Sequence, residues 1–212
     1  MSDKLVELTV NNFVETVASA APAPGGGSVA ALAGAQGAGL MAMVCRLTIG
    51  KKKYLDVQEQ VEEGLAELDR LVAEFMRLVD ADTEAFNAFG AAMAMPKETD
   101  EQKAARRTAM QLASKLATEV PAETMAASSA TIRLIHRLHP IANKNCLSDM
   151  GVAMQMTLTA LSGAAMNVLI NLPGTGDEEF NKKYAEQVQT ARDEAEQLAQ
   201  ETTAAVFAAL TS

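Results

Sequence analysis

The chain is predicted to be all-α, a helical bundle of about six helices, and three features of its 212 residues predict it. The apolar mass is Ala, Leu, Val and twelve Met, all but Val good helix formers. Aromatic residues are few, six Phe, two Tyr and no Trp, and no alternating β-branched run is long enough to argue for a sheet. Pro and Gly fall between long stretches of helical period. With 49% hydrophobic residues the chain can bury a real core. No internal repeat and no linker of domain-boundary character appears, so residues 1–212 read as one domain.

The first helix is expected from about Thr9 to Ala20, ended by Pro22-Ala-Pro-Gly-Gly-Gly. The second starts at Ser28, read as its N-cap, and reaches about Thr48. It carries small residues at Ala31, Gly34, Ala35, Ala38, Gly39 and Ala42, a pattern that lets another helix or a flat ligand approach the backbone. The third begins after Lys51-Lys-Lys-Tyr54 and runs to about Met95, before Pro96. The fourth opens at Thr99, where Thr99 and Gln102 have capping-box spacing. Pro121 is expected to break or kink it before an extension to about His139. The fifth spans about Ser148 to Asn171, and the sixth, amphipathic, about Asp177 to Leu210.

Several function classes are disfavoured. A net charge of −9 argues against general nucleic-acid binding, which needs clustered positive charge. Cys45 and Cys146 are far apart and suit free thiols in a reducing cytoplasm. Met1-Ser-Asp-Lys lacks the apolar stretch of a secretory signal. Two nearly chargeless segments, Pro22–Cys45 and Cys146–Gly176, invite a membrane reading. The first is mostly Ala and Gly, the second holds Gln155, Thr157, Asn167 and Asn171, and both are expected to be buried core helices rather than spans. His136 and His139 lack the Cys or carboxylate partners of a zinc site, so no metal centre is expected. There is no nucleophile elbow. Any chemistry must come from carboxylates, amides, lysines and main-chain groups.

The third helix isolates one carboxylate. Val61, Leu65, Leu68, Val72, Phe75, Val79, Asp82, Phe86, Phe89 and Met93 follow at spacings of four and three, a seam meant to face another helix. Only Asp82 is polar. Asp80 points about 200° away and belongs to another face. Asp82 has two readings: a register-setting polar group or one leg of a buried salt bridge, or a carboxyl of raised pKa that takes up and returns protons near neutral pH.

Other constellations are weaker alone. Gly25-Gly26-Gly27-Ser28 runs directly into a helix, whose first N–H groups attract anions. Lys51, Lys52, Lys53 and Tyr54, with Arg46 a turn earlier, form a basic cluster suited to an anionic tail, or else a solvated connector. Asn143, Ser148 and Asp149 lead into the fifth helix. There Asp149, Ala153, Met156, Ala160, Gly163, Asn167 and Ile170 share a stripe on which Asn167 needs a partner.

Together, the runs Ala23-Pro24-Gly25-Gly26-Gly27-Ser28-Val29-Ala30-Ala31-Leu32, Gly50-Lys51-Lys52-Lys53-Tyr54, Val79-Asp80-Ala81-Asp82-Thr83-Glu84-Ala85-Phe86, Asn143 with Ser148-Asp149, and Asn167-Val168-Leu169-Ile170-Asn171-Leu172 resemble the formiminotetrahydrofolate cyclodeaminase/methenyltetrahydrofolate cyclohydrolase family, in its order and over nearly the whole chain. The resemblance implies a free-standing bacterial module, a homodimer through helix packing, no metal or resident cofactor, and a tetrahydrofolate substrate with or without a polyglutamate tail. It implies Asp82 as proton acceptor and Asp149 as a second carboxylate for charge stabilisation or pterin contact. Gly25 to Ser28, Lys51 to Tyr54 and Ser148 are implied as substrate contacts, and Asn143, Asn167 and Asn171 as pterin contacts or main-chain-orienting partners. The reaction is expected to be closure of 5-formiminotetrahydrofolate with ammonia release, the alternative being hydrolysis of the methenyl form. A reading from another class is a non-catalytic helical dimerisation module.

Overall fold

The structure, a computed structural model, describes residues 4–212; Met1, Ser2 and Asp3, part of the stretch read for a secretory signal, lie outside them. Six α-helices occur among the described residues: α1 (Val10–Val17), α2 (Gly26–Arg46), α3 (Gln58–Met93), α4 (Asp100–Leu138), α5 (Leu147–Asn171) and α6 (Glu178–Leu210). Short 3-10 turns flank them, and no strand occurs among the described residues. The all-helical expectation holds.

The helices α2 to α6 alternate in direction. The end of the bundle that holds the start of α2 therefore also holds the late part of α3, the early part of α4 and the end of α5. α2 packs on α3 and α5, α4 closes against α3 and α5, and α6 lies over α4 and α5. The core is aliphatic and sulfur-rich, with Met41, Met150 and Met154 fully enclosed beside Leu68, Leu78 and Phe75. Flexible thioethers fill gaps that aromatic rings would otherwise occupy. Cys45 and Cys146 are buried free thiols, and burial pushes the Cys45 thiol up to about 11.

Two local readings need correction. α2 starts at Gly26 with Gly25 as N-cap, so Ser28 lies in the first turn, and its side chain is free for another task. Pro121 neither breaks nor ends α4, which runs on to Leu138. A proline lacks the N–H that would bond the carbonyl four residues back, here Ala117. The side-chain amide of Asn171 donates to that carbonyl at 2.7 Å, so a neighbouring helix supplies the missing donor. The Thr99–Gln102 capping box is present as expected, Gln102 N–H donating to the Thr99 hydroxyl oxygen at 3.2 Å and Thr99 N–H to the Gln102 side-chain oxygen at 3.2 Å.

α2 and the 144–174 segment around α5 are long and apolar enough to cross a membrane. In the fold they pack on one another. A Cβ at Gly37 would collide with the Thr157 hydroxyl of α5, which shows how closely the two backbones approach. α5 nevertheless leaves Val152, Met166 and Ile170 more than half exposed.

The small-residue pattern of α2 has unequal parts. A Cβ at Gly34 would strike the fully buried Phe75 ring, whereas one at Gly39 meets nothing nearer than Val72 Cγ2 at 4.0 Å. Gly34→Ala is therefore expected to lower stability by about 1–3 kcal/mol through overpacking. Gly39→Ala should raise it by up to about 1 kcal/mol through helix propensity. Urea unfolding of the two variants checks both signs.

Candidate active site

The α3 seam changes character along its length. Val61, Leu68, Phe75 and Val79 are sealed in the core, while Phe86 and Met93 are 43% and 51% exposed. Asp82 sits at the point where the stripe leaves the core. There the glycine loop before α2, the end of α5 and α3 enclose a cleft of about 320 Å³. Phe86 and Phe89 give it an apolar wall on which a flat ring can lie; Gly25 to Gly27, Asn167 and Asn171 give it a polar edge.

One oxygen of Asp82, Oδ2, accepts the Ser28 N–H at 2.8 Å. The Ser28 hydroxyl lies 3.1 Å from the same oxygen and 2.9 Å from the Val79 carbonyl. The Thr83 hydroxyl lies 3.3 Å from it as well, able to donate or accept, so the one Ser28 hydrogen has a choice of acceptors. An ionised Asp82 takes that hydrogen; a neutral Asp82 donates its own to the Ser28 oxygen, which then donates to Val79. The pair thus has a bonded arrangement for either protonation state. Burial pushes the Asp82 carboxyl above the usual carboxylate range, and the Ser28 hydroxyl and N–H pull it partly back. The N-terminal dipole of α2 also favours the ionised form.

Gly27 is required by closeness. A Cβ there would overlap the Asp82 carboxyl, so any side chain would push the acid out of the clasp. Gly26 stands opposite Asn167, whose amide is 3.5 Å from the place a Cβ would take. Asn167 donates to the Gly163 carbonyl at 2.8 Å, and Asn171 to the Ala117 and Asn167 carbonyls. The geometry therefore gathers Gly25, Gly26, Gly27, Ser28, Asp82, Asn167 and Asn171 at one cleft.

The other residues named from the sequence lie elsewhere in the chain. Lys51, Lys52, Lys53 and Tyr54 follow the far end of α2, about 30 Å along its axis from Gly26. Asp149 is about 27 Å along α5 from Asn167. The three lysines are exposed, and Lys53 lies over the Tyr54 ring at 5.6 Å. Tyr54 accepts the Lys144 N–H at 3.0 Å. Arg46, grouped with this cluster, is paired with Asp69 at 2.7 Å. Asn143 is buried and saturated: its N–H donates to Thr48, its amide to the Leu47 carbonyl, and its oxygen accepts from Asn145. Ser148 is exposed beside it. Within one chain none of these touches a ligand seated on Asp82.

Sequence reasoning missed the wall made by Phe86 and Phe89, which it placed in a buried seam, and the pairing of Asn171 with Pro121. The helical proline was the signal for the second, since it announces an orphaned carbonyl. A larger cleft of about 450 Å³, under α1 and against α2 and α5, has no titratable side chain in its lining and offers no proton chemistry. Among the described residues, no group of three or more His, Cys, Asp or Glu is placed to hold a metal.

Comparison with known proteins places this geometry. The methenyltetrahydrofolate cyclohydrolase of Methylorubrum extorquens is 39% identical over 181 residues, covering 85% of this chain and 87% of its own. The formimidoyltransferase-cyclodeaminase of Gallus gallus is 35% identical over 193 residues, which are 91% of this chain but 36% of that longer protein. The crystal structure of formiminotetrahydrofolate cyclodeaminase from Thermotoga maritima superposes with a TM-score of 0.87 at 26% identity, covering 98% of this chain and 100% of that one. Residues 9–190, a span that includes the glycine loop, Asp82 and Asn171, match the formiminotransferase-cyclodeaminase family, and the chain belongs to that family.

Proposed function

We propose that the chain closes 5-formiminotetrahydrofolate to 5,10-methenyltetrahydrofolate with release of ammonia, and that Asp82 moves the proton. The observation that carries this reading is a carboxyl of raised proton affinity, bonded for either protonation state, at the mouth of a cleft with an aromatic wall. The substrate enters as the N5-bound amidinium; N10 attacks its carbon, forming the N10–carbon bond as the carbon–nitrogen π bond opens to an amine. N10 gives its proton to Asp82. The acid returns a proton to the former imino nitrogen, the carbon–nitrogen bond breaks, and ammonia leaves the cationic methenyl product. Asp82, ionised before it takes the proton and again after it gives the proton up, stabilises the cationic amidinium and the methenyl product.

A second reading, hydrolysis of 5,10-methenyl- to 10-formyltetrahydrofolate, is favoured by the Methylorubrum extorquens relative, which matches nearly end to end. Water then attacks the same carbon, Asp82 takes its proton, and the carbon–N5 bond breaks as N5 is protonated, leaving the formyl group on N10. Neither reading calls for a resident cofactor. The buried free thiols suit a cytoplasmic setting.

We also propose that the working form is a homodimer. Val29, Leu32, Gln36, Leu40, Met43 and Leu47 follow at spacings of three and four along the uncovered side of α2. Val152, Met156, Thr159, Gly163, Met166 and Ile170 do the same on α5, and both stripes border the apolar cleft under α1. A second copy is the partner the family reading supplies. This face, with the small residues behind it, also serves the non-catalytic alternative, so activity must discriminate.

Purified protein given each substrate should release ammonia from the formimino compound, while loss of methenyl absorbance would mark the hydrolase. Asp82→Asn is expected to reduce the operative reaction by about two to four powers of ten. Full activity in that variant removes Asp82 from the mechanism. The same variant carries a pH signature. An acid that binds its proton more tightly folded than unfolded stabilises the fold at low pH, and that contribution is lost as pH rises through its raised folded pKa. Asp82→Asn should therefore melt higher than the parent at neutral pH. The gap should close as pH falls into the ordinary carboxylate range, as read by calorimetry. For the dimer, Val152→Glu with Met166→Glu should yield a folded monomer in analytical ultracentrifugation, and an unchanged sedimentation coefficient would exclude this face.

A further inference from the structure

Asn171 has both of its amide hydrogens committed to main-chain carbonyls, that of Ala117 at 2.7 Å and that of Asn167 at 2.8 Å. Turning the amide over would set its oxygen against those two carbonyl oxygens, so its orientation is fixed. The Ala117 carbonyl takes a side-chain donor because Pro121 brings no N–H to it. A proline inside α4 thereby decides which atom of an α5 side chain stays uncommitted. That atom is the Asn171 oxygen, to which no hydrogen bond is donated among the described residues.

Asn167, one turn earlier, gives one N–H to the Gly163 carbonyl at 2.8 Å and keeps its oxygen and its other N–H uncommitted. The two residues stand about 6 Å apart along α5. Both line the Asp82 cleft, together with Ala117. Gly26 leaves room for the Asn167 amide, whose nitrogen lies 3.5 Å from the place a Cβ would take. Among the described residues, Asp82 is the one titratable side chain in this lining. The cleft therefore has one charged acceptor on α3 and neutral acceptors on α5. A cationic carbon is drawn to the first, and an uncharged N–H donor suits the second. The exocyclic amine of a 2-amino-4-oxopyrimidine ring is such a donor. Its nitrogen lone pair is delocalised into the ring, so its two hydrogens need two acceptors.

We propose that Asn171, with Asn167 beside it, determines specificity for the 2-amino group of the pterin ring. The proposal rests on the folate reading of the Asp82 cleft. With the amine on α5 and the cationic carbon at Asp82, the bicycle lies on the Phe86 and Phe89 wall in one direction only. A ring without the amine leaves the Asn171 oxygen unpaired, which rejects an analogue more strongly than the loss of an apolar contact does.

The test pairs whichever folate the enzyme turns over with its 2-deamino analogue. The parent should favour the amino form in kcat/KM by about five- to hundredfold, the size of a buried acceptor left unpaired. In Asn171→Ala that preference should drop by about fivefold or more, through the amino form alone. Because this variant also removes a donor from the Ala117 carbonyl, Pro121→Ala/Asn171→Ala is measured beside it. There the main-chain N–H of residue 121 replaces the lost donor, so the protein should melt higher than Asn171→Ala while the preference stays low. An unchanged preference in Asn171→Ala overturns the proposal. So does a preference regained in the double variant, since Asn171 would then be a structural donor only. Pterin and 4-oxopteridine, which lacks the amine, read the subsite by calorimetry without turnover. A preference of the parent and of Asp82→Asn for pterin, lost in Pro121→Ala/Asn171→Ala, supports the subsite even if neither folate reacts. Equal binding of the two rings, or no binding of pterin up to its solubility limit, overturns it.

Discussion

The contact between Asp82 and the start of α2 constrains the rest of the molecule. A carboxylate leaving a greasy seam needs donors, and the first turn of a helix has N–H groups with no intrahelical acceptor. Each supplies what the other lacks. Ser28 donates its main-chain N–H to Asp82 Oδ2, and Gly27 must be bare because the carboxyl fills the space a methyl would occupy. This union fixes where α2 begins relative to α3, and therefore where α3 projects beyond it. The cleft is the space left beside that projection. The anion that the glycine loop was expected to attract is thus in part the protein's own.

Much of this was legible in the chain. The four-and-three period of α3 isolated Asp82 because one acid among nine apolar residues breaks the pattern. The period did not tell where the seam would leave the core, since that depends on the unequal lengths of helices joined only in three dimensions. Phe86 and Met93 keep the same spacing as Val61 and Leu68, yet they face open space because α2 has already ended. The capping box at Thr99 was readable because both partners lie within one turn. The donor for the carbonyl orphaned by Pro121 was not, because Asn171 lies 54 residues from Ala117.

Lys51–Lys53 and Asp149 illustrate a different limit. Proximity in a family's motif order says nothing about proximity in space when rigid helices intervene. A 21-residue helix carries the chain about 30 Å, and both groups lie a helix length away from the acid. Asn143, read in the sequence as a pterin contact or a main-chain-orienting partner, takes the second part and fastens the end of α2 to the start of α5.

The clasp also frames the difference between deamination and hydrolysis. In either proposed reaction a cationic carbon would receive a nucleophile, and a proton would pass from that nucleophile to Asp82. The Ser28 hydroxyl can reverse its hydrogen bond to suit either state of the acid. The carboxyl is therefore indifferent to which nucleophile arrives. Selection must lie in what reaches the carbon first, N10 of the folded-over substrate or a water molecule. That is a property of how tightly the ring is pressed against Phe86 and Phe89 and how well the mouth of the cleft is closed.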